Sequence, residues 1–145
     1  MRELAIPILV ALAAGIAVGL QNPLSAMIGQ RVGLLQSAFI VHLGGTVVAA
    51  ALMIVVPGGR LAAWTTVPPY ALGAGALGVV AISGISHAIP RIGVAPTVGF
   101  LLTAQLTIGA LLDHQGWLGA AVRALDSGRI AGLVLLLVGV WLVLR

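Results

Sequence analysis

Charge is scarce in this sequence, and cysteine is absent. Only 7% of the 145 residues are charged, namely seven arginines and three acids, whereas a soluble domain usually carries about 25%. The lack of cysteine excludes a disulfide framework and thiolate metal sites. With 61% hydrophobic residues and a mean hydropathy of +1.21, too little polar surface remains to cover a water-soluble globule. The solvent of this chain must therefore be largely lipid.

Long apolar runs account for most of the chain. A hydrocarbon core ~30 Å thick is crossed by ~20 residues of α-helix, and five segments have about that length: residues 4–29, 35–56, 69–89, 93–112 and 127–144. No hydrophilic stretch is long enough to form a second domain, and the longest polar connection covers residues 113–128. We therefore predict an all-α, polytopic membrane protein with five transmembrane helices in one domain, residues 1–145.

Prolines and aromatic residues mark the predicted helix ends. Pro68 and Pro69 can start the third helix, and Pro90 can close it. Pro96 is tolerable in the first turn of the fourth helix. The tryptophans and the tyrosine fall near segment ends, where such rings sit at the level of the lipid headgroups.

The basic residues and the N-terminus each allow another interpretation, which the residues disfavour. The arginines lie in short loops and not on one basic face, so the pI of 11.6 does not indicate nucleic-acid binding. Arg2 precedes an apolar run, as in a signal peptide. However, Glu3 spoils the positive start and the run continues through Leu20. A first membrane helix explains more of these residues.

Two catalytic signatures occur without the context that they need. Residues 73–78 match G-x-G-x-x-G, but a dinucleotide site needs a preceding strand and an acid about 20 residues on, and no acid occurs between Gly78 and Asp113. Residues 84–88 resemble a nucleophile elbow without its strained strand-to-helix turn. The three histidines have no metal-binding spacing. We therefore expect no enzyme, no catalytic residue and no metal site, and we interpret the glycines of residues 73–78 as a close-packing helix face.

Small residues recur four positions apart in several of the predicted helices. Such spacing lets helix backbones approach closely when lipid offers no hydrophobic drive for association. The pairs are Gly15/Gly19, Gly29/Gly33, Ala95/Gly99 and Gly128/Gly132. They predict a helix bundle without identifying what it carries.

Pro23 stands inside the first predicted span, directly after Gln21 and Asn22. A proline within a helix frees a backbone carbonyl, which must find another partner in lipid. One interpretation is a kink and nothing more. The other, weighed equally, is a bend that presents the two amides to an internal cavity, because broken membrane helices are favoured places for binding sites.

A few further polar groups lie at membrane depth, where they tend to face a bundle interior or a cavity. His42 is one helical turn from Thr46 in the second span, and either a hydrogen-bonded neutral imidazole or a role in the pathway would explain it. Gln105 and Asp113 recur with Gly109 every four residues, which places them on one stripe of the fourth helix. Asp113 can also be simply the polar end of that helix.

Several of these motifs together resemble a known family. They are the Gln21-Asn22 pair, residues 90–97 (PRIGVAPT), Gln105, residues 113–116 (DHQG), residues 127–132 (SGRIAG) and a last helix that contains Gly139. Their order over the whole chain is similar to the small bacterial membrane proteins of the YdcZ type, in the drug/metabolite transporter superfamily. The resemblance implies a five-helix half of a ten-helix inverted-repeat fold, and export or exchange of a small solute without a cofactor.

One feature of the wider superfamily is missing. Its small multidrug exporters carry a glutamate in the first helix as their proton and cation site, whereas this chain has no acid between Glu3 and Asp113. This difference argues against antiport of quaternary cations by that mechanism. Polar amides without a buried acid lean slightly toward a neutral or zwitterionic solute.

We therefore expect a multi-pass transporter subunit of the bacterial inner membrane that moves a small molecule by alternating access. The alternative is a non-transporting scaffold or regulatory subunit of a partner complex, for which an apolar five-helix bundle would also serve. Amides that face a cavity would favour transport, and amides that face a neighbouring chain would favour the scaffold. The residues name neither the substrate, nor the coupling ion, nor the direction of transport.

The arginines also carry a topological prediction. Five spans put Arg2, Arg60, Arg123 and Arg129 on one side of the membrane, and Arg31, Arg91 and Arg145 on the other. A protein of fixed orientation normally has a clear Lys/Arg excess in its cytoplasmic loops, and four against three is almost no bias. We therefore expect insertion in both orientations and an antiparallel homodimer, or else a paired homologous subunit of opposite orientation.

In such a pair each side chain appears twice, so mid-span polar groups would converge on one central cavity. We expect the substrate to bind at Gln21, Asn22, His42 and Gln105, with Pro23 as the bend. Asp113 and His87 would lie nearer the cavity mouth as proton-responsive groups. The fifth helix, apolar from residue 133 to 144 apart from its tryptophan, is suited to packing or dimer contact.

Overall fold

The computed structural model describes residues 2–56 and 58–145, and every regular element in these ranges is a helix. The elements are α1 (Arg2–Val32), α2 (Leu34–Val55), a 3₁₀ turn (Leu61–Thr66), α3 (Pro69–Leu72), α4 (Ala74–Ile92), α5 (Val94–Gln115), a 3₁₀ turn (Trp117–Gly119) and α6 (Ser127–Leu144). Five stretches are long and apolar enough to cross a membrane: Leu4–Val32, Leu34–Val55, Pro69–Ile92, Val94–Gln115 and Ser127–Leu144. The prediction of an all-α chain with five spans is confirmed.

The helices form two compact units. The first runs up to Pro90, and the second runs from Arg91 to Arg145. In the first unit α1 packs against α2, and in the second α5 packs against α6. Most of the apolar side chains on these helices are exposed, as is usual for surfaces that face lipid or another subunit.

Single glycines separate the long helices. Gly33, between α1 and α2, has φ 105°, and Gly93, between α4 and α5, has φ 86°. Residues with a Cβ rarely adopt such angles, so each glycine lets one helix end and the next begin within one residue. Gly116 ends α5 in the left-handed conformation at φ 66°, with its N–H bonded to the Leu112 carbonyl, a common helix ending.

The prolines behave as predicted at two positions and differently at a third. Pro68 precedes α3 and Pro69 begins it, while Pro96 is buried in the first turn of α5. The prediction that Pro90 closes the third helix was wrong, because α4 continues to Ile92. A proline removes one hydrogen bond, which a membrane helix tolerates, and the break comes at Gly93, where φ becomes positive.

Three serines from three helices meet at one junction in the first unit. The hydroxyls of Ser37 in α2 and Ser86 in α4 both donate to the backbone carbonyl of Ser25 in α1, at 2.7 and 3.0 Å. Ser25, Ser37 and Ser86 are 1%, 0% and 2% exposed. In lipid, such hydrogen bonds between helices have no competition from water, so this three-serine junction fixes how α1, α2 and α4 cross.

Glycine allows the close approach at this junction. A Cβ on Gly29 would lie only 2.7 Å from the Cβ of Ser86, so α1 and α4 could not come this close with any other residue there. In the second unit, a Cβ on Gly99 would lie 2.7 Å from Val140. The pairs that contain Gly29 and Gly99 therefore do mark packing seams, whereas Gly15 and Gly19 have no neighbour within 4 Å of a Cβ position.

Candidate functional site

A cavity of about 360 Å³ in the first unit brings two of the predicted binding residues together. Its lining consists of Gln21, Val41, His42, Gly45, Thr46, Ala49 and Ile82. Apolar groups form most of the wall, and one amide, one imidazole and one hydroxyl supply the polar groups. A few polar groups on an apolar wall are typical of small-molecule sites, because they orient the ligand while the rest of the wall excludes water.

The imidazole of His42 is held in one orientation. Its Nδ1 lies 2.7 Å from the Ala38 carbonyl oxygen, one turn earlier in α2, and because a carbonyl can only accept, Nδ1 is the protonated nitrogen in this bond. Nε2 then faces Gly78 of α4, where an added Cβ would lie only 2.6 Å away. The interpretation of residues 73–78 as a close-packing face therefore holds at Gly78.

Pro23 leaves a backbone carbonyl without its usual helical hydrogen bond, and the buried Asn22 directly precedes this proline. Pro23 lies inside α1, which runs without a break to Val32. Proline has no N–H, so the usual helical hydrogen bond to the Gly19 carbonyl is lost. Asn22 is 4% exposed and does not line the cavity, whereas Gln21 does. The structure therefore separates the two neighbouring amides, one in the cavity and one in the helix packing.

The second unit has its own cavity, about 510 Å³, between α5 and α6. Its lining consists of Gln105, Leu106, Gly109, Ala110, Asp113, Arg129, Gly132 and Leu133. The predicted stripe of Gln105, Gly109 and Asp113 does face one space. Arg129, which sequence reasoning left as a loop residue, lies opposite Asp113 with its Nη1 3.6 Å from Oδ2.

The connection between α5 and α6 folds back on the end of α5 and positions this charged pair. The Arg123 N–H donates to the Asp113 carbonyl at 2.9 Å, and the Leu125 N–H donates to His114 Nδ1 at 3.2 Å. Asp126 then caps α6, because its Oδ1 accepts from the Arg129 N–H at 2.8 Å. These bonds place the start of α6 beside the last turns of α5.

The other polar residues of the spans lie outside the two cavities or bond within their own helix. His87 is exposed on α4 and lines neither of these cavities. Thr103 and Thr107 donate to carbonyls four residues earlier in their own helix, which satisfies their hydroxyls within α5. Within residues 2–56 and 58–145, no three His, Cys, Asp or Glu side chains are close enough to hold a metal ion.

Sequence reasoning also missed the three-serine junction and the helix joints beside it. A detectable signal was present, since Arg31-Val32-Gly33 and Arg91-Ile92-Gly93 repeat one motif at the two one-residue joints. A repeated basic–apolar–glycine motif after a long apolar run predicts that a helix ends at each of the two places. Buried serines a few residues before such a joint would then be expected to pack.

Comparison with known proteins agrees with this architecture. Residues 6–142 match the family described as "Putative inner membrane exporter, YdcZ". The chain is 32% identical over 143 residues to the inner membrane protein YdcZ of Escherichia coli (strain K12), with 92% of this chain and 91% of that protein covered. No solved structure matches the chain. With five membrane-spanning helices and this match over nearly its whole length, the chain belongs to the YdcZ family of multi-pass inner-membrane proteins.

Proposed function

We propose that this protein exports or exchanges a small molecule across the inner membrane by alternating access, with residues 1–145 acting as one membrane domain. The observation that supports this most is the cavity that Gln21 and His42 share among apolar helices. Polar groups at membrane depth are costly and are usually retained for a substrate pathway. The description of the family as an exporter points the same way.

Each polar residue has a proposed role. Gln21 and His42 bind the solute in the first unit, and Gln105 binds it in the second. Asn22 is buried behind Gln21 and joins them when the helices shift during the transport cycle. Pro23 permits that shift, because the missing hydrogen bond to the Gly19 carbonyl makes α1 easier to bend.

Asp113 and His87 are the proposed proton-responsive groups. The carboxylate of Asp113, about 38% exposed beside Arg129, lies in the last turn of α5, and His87 lies five residues before the end of α4. Helix ends lie nearer to water than the middle of a span, which favours access of protons to both groups. A proton gradient should then change the rate of transport. Asp113→Asn should remove this response.

We further propose that two copies assemble as an antiparallel homodimer. The nearly balanced arginines favour dual insertion, and a half-transporter needs an inverted partner. An apolar groove of about 560 Å³ runs between α5 and α6 over Gly132 and Gly139, neither of which has a neighbour within 4 Å of a Cβ position. Such a groove, with small residues at its floor, suits a helix of the second copy.

Reporter fusions after Arg145 test the dimer. Dual insertion predicts substantial signal from reporters active only in the cytoplasm and from reporters active only in the periplasm. A single-sided result, with added arginines unable to reverse it, would exclude an antiparallel homodimer. A paired subunit of opposite orientation would then be needed.

Transport itself is tested with purified protein in lipid nanodiscs and then in liposomes. A panel of neutral, zwitterionic, anionic and cationic solutes is screened for thermal stabilisation, and those that stabilise the protein are tested for flux. We expect at least one solute both to stabilise the protein and to cross. Stabilisation by no solute, together with capture of a fixed protein partner through the α1 amides, would favour the scaffold instead.

A further inference from the structure

At the charged end of the α5–α6 cavity, Arg129 lacks a hydrogen bond that it could make. Arg129 and Asp113 are 3.6 Å apart, which is longer than the 2.7–3.2 Å of an N–H···O hydrogen bond. Nη1 of Arg129 is buried and has no hydrogen-bond partner among the residues that the structure describes. Both side chains remain partly exposed, at 30% and 38%. A ligand can therefore reach the exposed atoms of the pair, and a turn of the Arg129 side chain would bring Nη1 to it.

The two charges also stand at the unfavourable ends of their helices. Asp113 is two residues from the end of α5, where the helix dipole favours a cation, and Arg129 is the third residue of α6, where it favours an anion. If the ion pair served only to join the helix ends, it would be more stable with the arginine on α5 and the aspartate on α6. Local arrangements that oppose such a rule are expected mainly at functional sites.

We propose that Arg129 and Asp113 form a binding site for a zwitterion whose anionic and ammonium groups are adjacent, such as a neutral α-amino acid. This inference rests on the proposed transport function and names the substrate class for the α5–α6 cavity. The carboxylate bonds to Arg129, whose guanidinium matches carboxylate geometry, and the ammonium bonds to Asp113. One carbon separates the two groups of an α-amino acid, so both can face partners 3.6 Å apart.

The rest of the cavity is consistent with this ligand. Leu106, Ala110 and Leu133 provide an apolar wall beside the charged end, and the Gln105 amide lies two turns from Asp113 on the same stripe. The site carries one positive and one negative group, so a net anion would be repelled by Asp113 and a net cation by Arg129. Only a dipolar solute satisfies both.

Binding of L-leucine, L-methionine and L-valine to the full chain tests this site. The protein is placed in nanodiscs made of phosphatidylcholine and phosphatidylglycerol, which carry no primary ammonium group, and affinity is measured by calorimetry. At least one of the three should bind. Its amide, which lacks the carboxylate, and its N-acetyl form, which lacks the ammonium, should each bind at least tenfold more weakly.

The variants separate recognition from folding. Arg129→Gln should weaken binding at least tenfold and remove the preference for the amino acid over its amide. Asp113→Asn should remove the preference over the N-acetyl form. Arg123→Gln, in the exposed connection, should change nothing. If one of these variants fails to fold, Arg129→Lys and Asp113→Glu are used in its place, because they keep the charges. Both should still prefer the amino acid over its amide and over its N-acetyl form.

The outcomes distinguish this inference from the transport proposal. If none of the three amino acids binds while another solute is transported, the zwitterion site is wrong and transport stands. Equal binding of an amino acid and its two derivatives would also overturn the site. If the amino acid binds with both preferences but nothing crosses the membrane, the site stands and transport fails.

A lipid headgroup is the other source of this chemistry, because phosphatidylethanolamine also carries an ammonium and an anionic group. Its binding is measured by mass spectrometry of the protein released from nanodiscs that contain it. Competition between this lipid and the amino acid, abolished by Arg129→Gln, supports the site. Binding of the lipid without any binding of amino acids would overturn the assignment to a soluble substrate.

Discussion

Gly29 allows the close contact between α1 and α4, so substituting it tests whether these two helices cross as described. In Gly29→Ala the new methyl would lie 2.7 Å from the Cβ of Ser86, about 1 Å nearer than two carbons normally pack. Ser86 cannot yield freely, because its hydroxyl is bonded to the Ser25 carbonyl at 3.0 Å. Overpacking of this kind costs about 1–3 kcal/mol, against a gain of about 1 kcal/mol from alanine's higher helix propensity.

We therefore expect Gly29→Ala to lower the free energy of unfolding by up to about 2 kcal/mol. Gly15→Ala, in the same helix but with no atom within 4 Å of the new methyl, should leave it unchanged or raise it by up to ~1 kcal/mol. Unfolding of each variant in mixed detergent micelles, followed by circular dichroism, measures both values. Equal effects of the two substitutions would refute the described crossing of α1 and α4.

A second variant shows whether the cost arises at Ser86. Ser86→Gly removes the Cβ that the new methyl meets, so in the double variant Gly29→Ala should cost clearly less than it does alone. Because the two positions touch, their effects should depart from additivity by about 1 kcal/mol. Additive effects would show that the overpacking lies elsewhere. The same contact positions α1 against α4, and both helices line the cavity that holds Gln21 and His42.

Three further predictions follow from particular contacts. Gly78→Ala should displace the His42 imidazole, whose Nε2 lies 2.6 Å from the new Cβ, and so weaken solute binding at least tenfold. Gly75→Ala, with no neighbour within 4 Å of the new Cβ, should leave binding unchanged. Binding assays on both variants check this. Asp126→Ala should lower the free energy of unfolding by about 1 kcal/mol through loss of the α6 cap, as measured by unfolding in detergent. Exchanging the charges in the double variant Asp113→Arg/Arg129→Asp should raise the free energy of unfolding by up to about 1 kcal/mol at low salt, because each charge then lies at the favoured helix end. Unfolding in detergent measures this, and a large fall in the free energy of unfolding would contradict the effect of the helix dipoles.

The helices were predictable from the sequence because the bilayer imposes their length. The segments at residues 35–56 and 127–144 match α2 and α6 to within one residue. The errors lie at the ends of the other spans, where composition is a weak guide. At Pro90 the prediction assumed that proline stops a helix, but α4 continues to Ile92 and ends only where Gly93 adopts a positive φ.

The candidate site was predictable residue by residue but not as a set of contacts. Helical spacing correctly placed Gln105 and Asp113 on one stripe, because it depends only on the helix period. Pairing Asp113 with Arg129 was not predicted, because it depends on how the connection of residues 116–126 folds back. The burial of Asn22 beside an accessible Gln21 depends on which face of α1 packs at the three-serine junction. Periodicity in one helix does not reveal the partner of each face.

Exchange of radiolabelled solute in proteoliposomes, with the solute that stabilises the protein best, tests whether Gln21 and Gln105 lie on a transport path. We expect rapid exchange by the wild type and by Gln30→Ala and Gln115→Ala, which alter exposed amides of α1 and α5. Gln21→Ala and Gln105→Ala should exchange about five- to 150-fold more slowly, because a lost hydrogen bond in a site costs about 1–3 kcal/mol. Equal rates in all four folded variants, or no exchange of any solute by a folded wild type, would contradict this assignment.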